Sequence, residues 1–166
     1  MRLTKEFFLQ PTLQVAELLL GKILNFDNYQ GIITETEAYI GQDDPACHAS
    51  KGKTKRTSIM FEEGGHCYVY LIYGMYYCFN IITEARDFPA GVLIRGLKLI
   101  SPTDITIQGP GKLCKYLGID MKHNGLSVLD SKNLFLTDHN YKPKFIATTR
   151  IGIKVGTDKL WRFLVQ

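Results

Sequence analysis

The chain predicts an α+β fold, a single domain spanning residues 1–166 built on a mostly antiparallel sheet. Three observations lead there. A length of 166 residues, 45% of them hydrophobic, is enough for one compact domain with a full core, and a second domain is not expected. The elements run in the order one helix, many strands, then a helix among strands, without the βαβ alternation of a parallel sheet. A Tyr-Gly step at Tyr73-Gly74 separates two strand-like runs, the signal of a tight hairpin.

Taken in order, residues 12–20 place Leu13, Ala16, Leu19 and Leu20 at helical spacing, with Thr12 read as the N-cap and Gly21 as the C-cap. Strands are predicted over 22–26, 31–40, 66–73, 75–82 and 91–99. Residues 109–119 open with Gly-Pro-Gly and turn apolar with helical period, so they predict a short helix. Two later strands are predicted over 126–136 and 144–154. No internal repeat or low-complexity segment interrupts the pattern.

A formal charge of +4, from 20 Lys and Arg against 16 Asp and Glu, is a weak pointer to a polyanionic partner. Its distribution says more, because Lys51, Lys53, Lys55 and Arg56 crowd one short loop. Cys47, Cys67, Cys78 and Cys114 show no C-x-x-C pairing, and residues 1–12 carry charges rather than an apolar leader core. Reduced thiols in an intracellular protein are expected. Cys47-His48 and His66-Cys67 are sequence neighbours, not ligands spaced for a metal, so no metal and no cofactor are expected. No apolar run approaches the ~20 residues that a membrane-spanning helix needs.

Chemistry concentrates in two segments. In ITETEAYIG (33–41), Glu35, Glu37 and Tyr39 alternate, so a strand projects all three to one face. A carboxylate against aromatic surface is partly desolvated, which raises its pKa and sharpens it as a base. The same residues would also suit a solvent-facing strand edge. CYVYLIYGMYYCFN (67–80) clusters Tyr68, Tyr70, Tyr73, Tyr76 and Tyr77 around Gly74. Its tip exposes Tyr73, Gly74 and Met75, useful to a protein that wedges base pairs apart; plain β-forming tyrosines give the same pattern. His48 lies on the loop beyond Glu37. The basic loop HASKGKTKRTS (48–58) suits a phosphate backbone, or simply water. Gly109 to Lys112 offers backbone N–H groups to a phosphate, or merely caps a helix.

The order of motifs is recognisable: ETEAYIG, a His loop, Met60-Phe61, YVYLIYGMYYCFNI, GVLIRGL, GPGKLC and RIGI. It resembles the alkyladenine (3-methyladenine) DNA glycosylase family from Phe7-Phe8 to Arg162-Phe163. The YVYLIYGMYYCFN segment is the most specific match. The resemblance implies a single domain with a curved, mostly antiparallel β-sheet, peripheral helices and a protruding β-hairpin. It implies an enzyme that binds double-stranded DNA containing damaged purines, flips the nucleotide out, and works as a monomer.

By position, Glu37 matches the family's general base. Tyr39, His48 and Tyr70 match the residues that sandwich the flipped base, and Tyr73 matches the intercalating residue. Asn80 matches a pocket residue that disfavours the exocyclic amine of guanine. Arg95 and the main-chain carbonyl of Ile151 match groups that help hold the water and flanking phosphate. Met75, Lys51, Lys53, Lys55, Arg56 and Lys112 are expected to meet DNA. The implied reaction is hydrolysis of the N-glycosidic bond without strand cleavage, on 3-methyladenine, 7-methylguanine and possible further lesions such as hypoxanthine, in base excision repair. The alternative reading is a non-catalytic nucleic-acid-binding module with stacked aromatics.

Two departures bear on DNA affinity: residues 100–108 are shorter and less basic than the matching family region, and the chain stops early, after Trp161 to Gln166. Register poses a further question. A turn at Tyr73-Gly74 pairs Tyr70 with Tyr77 and puts Asn80 on the opposite face, so a shared pocket needs a β-bulge or a longer turn.

Overall fold

The computed structural model describes residues 1–166 as one α+β domain. Two 12-residue antiparallel strands, β2 (Tyr29–Ile40) and β5 (Ala90–Ser101), form its spine. Each divides its outer edge between two shorter strands. β2 pairs with β1 (Ile23–Phe26) along its first part and β9 (Arg162–Val165) further on. β5 pairs with β4 (Tyr76–Ile82) at one end and β6 (Thr106–Gln108) at the other. β3 (Cys67–Ile72) extends β4, β7 (Leu134–Thr137) extends β1, and β8 (Phe145–Thr148) extends β9. The sheet curls as a half-barrel, as expected where long strands change partners along their length.

Helices cover one face. α1 (Lys5–Phe8) precedes α2 (Thr12–Leu19), which buries Val15, Ala16 and Leu19 against β2 and β5. α3 (Pro110–Leu117) packs Leu113, Cys114 and Leu117 on β4 and β5. With Phe8, Ile33, Phe79, Ile81, Val92, Ile94, Leu97 and Leu99 they form the main core. The other face carries a smaller cluster of Cys47, Ala49, Met60, Phe61, Tyr68 and Ile82, beneath the long segment that joins β2 to β3.

Which face each side chain takes is set by a pair of compensating bulges. Ile33 pairs with Leu97 and Glu35 with Gly96, so Thr34 is extra on β2; Thr36 then pairs with Ile94, so Arg95 is extra on β5. Along β2 the core face passes from Ile33 to Thr36 and Ala38; along β5 it passes from Leu99 and Leu97 to Ile94 and Val92. Without this shift Glu35 and Glu37 would share the face of Ile33 and point into the core. Gly96 is required here, since a Cβ would lie 2.7 Å from Thr34 Oγ1 and 3.2 Å from Glu35 Cβ.

Several expectations change on contact with the fold. Thr12 is not the N-cap; Pro11 holds that place, and the Thr12 N–H and hydroxyl donate instead to Glu84, which caps the helix from another segment. Gly21 falls one residue past the C-cap Leu20, at φ +88°. The strand predicted over 126–136 shrinks to β7, because Ser127 and Ser131 side chains accept backbone N–H bonds and turn the chain. The strand predicted over 144–154 ends at Thr148, where Arg150 turns inward and the chain leaves the sheet. β9, β6 and α1 were not foreseen. Residues 100–108 carry the end of β5, a short turn and β6 folded back on β5.

Candidate active site

The alternation of β3 and β4 sends Cys67, Val69, Phe79 and Ile81 into the main core, and Tyr68, Tyr70, Cys78 and Asn80 to the opposite face. That sharing depends on the hairpin register. Ile72 pairs with Tyr76, so the loop is three residues long, Tyr73 to Met75, and Tyr70 faces Cys78 while Tyr68 faces Asn80. Tyr73 at φ +52° and Gly74 at φ +64° make this longer turn, closed by the Met75 N–H bond to the Ile72 carbonyl, 3.1 Å. The register question raised by the sequence is thereby answered. Tyr73 and Met75 are 85% and 66% exposed.

A pocket of about 480 Å³ opens on this face. Glu37, Tyr39, His48, Tyr70, Tyr73, Asn80, Arg95 and Ile151 all line it, joined by Tyr68, Cys78, Met60, Leu93 and Lys154. Glu37 lies at its floor with no exposed surface. Its Oε1 accepts the Tyr39 hydroxyl at 2.8 Å, and its Oε2 accepts the Ile151 N–H at 2.7 Å. Arg95 Nη1 stands 3.7 Å from Oε1, while Arg95 Nε donates to Glu35 Oε2 at 3.1 Å. Arg162 Nη1 also donates to Glu35 Oε2, at 2.9 Å, so Glu35 holds two guanidinium groups.

Burial pushes the Glu37 carboxyl above its ordinary 4.5, offset in part by Arg95, the Ile151 N–H and the Tyr39 hydroxyl, and reinforced by Glu35. The same burial, with Glu37 beside it, pushes Tyr39 far up, so its phenol remains a donor.

The aromatic wall is closely joined. The His48 and Tyr70 rings stand 4.3 Å apart, and His48 Nδ1 lies 3.1 Å from the Tyr68 hydroxyl. Burial, and secondarily Arg56, depresses the His48 pKa below 6.5, which keeps the imidazole neutral. Burial also raises Tyr68 to about 12 and Tyr70 still further. Asn80 Nδ2 donates to the Tyr68 carbonyl at 3.1 Å, which fixes its amide against the wall.

Met75, Lys51, Lys53, Lys55, Arg56 and Lys112 are exposed and lie outside the pocket lining. The basic loop is nonetheless anchored. Arg56 Cζ sits 5.7 Å over the Tyr70 ring and Lys53 Nζ 5.8 Å over Phe61. Gly109 caps α3 with its N–H on the Arg95 carbonyl, and Pro110 lines the pocket. The cysteine–histidine neighbours point apart. Cys67 is in the main core, Cys47 lies in the smaller cluster, and His66 Nδ1 turns to the Glu63 carbonyl.

Sequence reasoning missed the groups that support Glu37 from behind. Arg150 and Asp44 form a fully buried pair, Nη1 to Oδ2 at 2.7 Å and Nη2 to Oδ1 at 3.0 Å. The RIGI motif contained Arg150, but nothing in sequence links it to an aspartate 106 residues away. Lys154, Cys78 and Tyr68 also went without a role.

The chain is similar to known proteins over nearly its whole length. The profile of the methylpurine-DNA glycosylase family matches residues 6–166. A protein of Rickettsia felis is 56% identical over 98% of this chain and 92% of its own length. One of Sodalis glossinidius is 55% identical over 97% and 95%, and one of Wolbachia pipientis is 56% identical over 97% and 88%. Each of these relatives is provisionally named a 3-methyladenine DNA glycosylase. A buried carboxylate in an aromatic pocket and a match over nearly the whole chain lead to one conclusion: this chain belongs to the methylpurine-DNA glycosylase family, whose members hydrolyse the N-glycosyl bond of damaged bases in DNA.

Proposed function

We propose that this enzyme removes 3-methyladenine, 7-methylguanine and hypoxanthine from double-stranded DNA by base flipping and Glu37-assisted hydrolysis, without cutting the strand. The observation that carries this reading is the Glu37 carboxylate, wholly buried beside aromatic rings yet not fully neutralised by its neighbours. The flipped base stacks among Tyr39, His48 and Tyr70. Neutral His48 suits a purine alkylated at N3 or N7, because that base is cationic and an imidazolium would repel it. Aromatic faces favour such a cation by roughly 0.5–2 kcal/mol.

In the reaction, the bond between C1′ and N9 breaks and its electron pair leaves with the purine. Positive charge builds on the sugar, where the Glu37 carboxylate stabilises it. Water adds to C1′, and its proton passes to Glu37. A cationic base departs as a neutral molecule without an acid, whereas hypoxanthine needs a proton on the leaving ring. Arg95 and the Ile151 carbonyl help hold the water and the flanking phosphate. Asn80, with its amide fixed, disfavours the exocyclic amine of guanine.

Tyr73 and Met75 enter the stack where the nucleotide left, supported by their exposure at the hairpin tip. Lys51, Lys53, Lys55, Arg56 and Lys112 follow the phosphates. Neutralising Lys51, Lys53 and Lys55 is expected to flatten the salt dependence of DNA binding; an unchanged slope removes that loop from the interface. The enzyme works as a monomer on DNA inside the cell, as one step of base excision repair.

The test is a single-turnover assay on a duplex with one hypoxanthine, and on duplex DNA treated with dimethyl sulfate. Strand breaks that appear only after alkali support a glycosylase without lyase activity. Breaks before alkali, lost in Lys154→Ala, would instead make the pocket-lining Lys154 a nucleophile. Hypoxanthine left in place while methylated bases are released would confine the enzyme to cationic lesions.

A further inference from the structure

Behind the pocket one cation ties together segments distant in sequence. Arg150 has no exposed side-chain surface and makes a bidentate pair with Asp44, which lies on the connection leading to His48. Its Nη1 also donates to the Ala38 carbonyl at 3.0 Å, between Glu37 and Tyr39 in the chain. Its Nη2 donates to the Gly156 carbonyl at 3.2 Å. Its guanidinium carbon stands 4.8 Å over the Tyr39 ring and 5.0 Å over the Trp161 ring. The next residue is Ile151, whose N–H bonds Glu37. Asp44 is anchored in turn, accepting the Ile40 and Ala46 N–H groups at 3.0 and 3.1 Å.

We propose that Arg150, locked by Asp44, is a positioning residue for the glycosylase reaction, holding Tyr39 and the Ile151 N–H on the two oxygens of Glu37. It touches neither substrate nor water. It acts through the two donors that fix the direction of the carboxylate. Fixing them matters because a misplacement of the order of 1 Å at a reacting group can slow a reaction about a hundredfold. A flexible ammonium cannot reproduce the planar fork that meets both Asp44 oxygens while stacking between two rings. The proposal rests on Glu37 acting as the base.

The groups facing Glu37 that can move its titration are Tyr39 and Glu35 on β2, Arg95 on β5, Cys78 on β4 and the Ile151 N–H; Arg162 on β9 acts through Glu35. Losing either donor removes an interaction that favours the carboxylate, so the pH at which Glu37 ionises moves up. A scaffold defect elsewhere would lower the amount of active protein without moving that pH.

The experiment measures single-turnover base release from dimethyl-sulfate-treated duplex DNA, against pH and enzyme concentration, for Arg150→Met, Arg150→Lys and Gly156→Ala. Gly156→Ala is the charge-conserving probe; its φ of +64° and Pro45 Cγ at 3.3 Å add strain of their own, so its rate is taken per folded molecule and the acid limb decides. Its Cβ would sit 2.9 Å from Arg150 Nη2, so the methyl displaces the guanidinium while both charges stay. The expected result for Gly156→Ala is a maximal rate lower by about tenfold, half-saturation within about twofold, and an acid limb moved to higher pH. Arg150→Met is expected to fall further, and Arg150→Lys to recover only part. If Arg150→Met does not fold, Gly156→Ala decides. A folded Gly156→Ala that keeps the wild-type rate, or one that loses rate with its acid limb unmoved, overturns the proposal. Glu37→Gln separates the two claims. If it is inactive while the Arg150 and Gly156 variants match wild type, only the positioning role falls; if it releases base at the wild-type rate, the base assignment falls and takes the proposal with it.

Discussion

Glu37 and Asp44 are both carboxylates with no exposed side-chain surface, seven positions apart, and each has an arginine for a neighbour. Their surroundings differ in one respect that decides their use. Asp44 meets Arg150 in a two-pronged pair at 2.7 and 3.0 Å and accepts two backbone N–H groups, so its charge is fully matched. Glu37 has one phenol, one N–H and an arginine only at 3.7 Å, shared with Glu35. Burial therefore pushes Glu37 up and leaves it able to take a proton. One carboxylate is an anchor; the other is held just short of that state.

The comparison breaks most plainly at Glu37→Gln. General-base catalysis contributes typically 10²–10⁴-fold, so base release is expected to fall by about three orders of magnitude with lesion-duplex binding retained. Its stability should not suffer at neutral pH. A carboxyl raised in the fold favours folding below its unfolded pKa, and that advantage is lost as pH rises through the folded pKa. Thermal melts at several pH values check this.

Asp44→Ala is the mirror experiment. It leaves a buried guanidinium unpaired, and the expected loss is about 3–5 kcal/mol of unfolding free energy, read from denaturant titration. An Asp44→Ala protein as stable as wild type would erase the distinction between the two carboxylates.

Arg95→Ala sharpens it. Removing the charge that lowers the Glu37 pKa should move the acid limb of the rate profile upward, with a maximal-rate loss of about tenfold, and Arg95→Lys should move the limb less. A limb that stays in place would mean that Arg95 does not act on Glu37. Smallest of these effects, Tyr73→Ala touches neither carboxylate. It should slow release from duplex DNA about fivefold, the loss of one stacking contact of about 1 kcal/mol, while leaving the acid limb unmoved.

Much of this was legible in the sequence because alternation carries it. Glu35, Glu37 and Tyr39 stood at period two, and so did Tyr68 and Tyr70; all but Glu35 line the pocket, and Glu35 holds the pocket-lining Arg95. What alternation could not carry was phase. A single extra residue at Thr34 and another at Arg95 reverse the faces of β2 and β5, yet the residue types on either side look the same. Likewise, Tyr73 at φ +52° adds a residue to the hairpin loop and turns Asn80 toward Tyr70.

Buried charge was hidden for another reason. Asp44 sits between two predicted strands and Arg150 inside another, 106 residues on, and only the fold brings them together. The same pull removed Arg150 to Lys154 from the strand predicted there, placing the Ile151 N–H on Glu37 instead.

The most direct test is the pH dependence of single-turnover release of methylated purines from duplex DNA, since a cationic leaving base needs no acid to complicate the acid limb. His48→Asn is measured in parallel, because His48 also lines the pocket and burial depresses its pKa below 6.5, onto the acid side of the profile. The expected profile falls on the acid side with an apparent pKa above 4.5, in the wild type and in His48→Asn alike, and vanishes in Glu37→Gln. A limb at or below 4.5, or one that disappears with His48 and survives Glu37→Gln, would contradict Glu37 as the base.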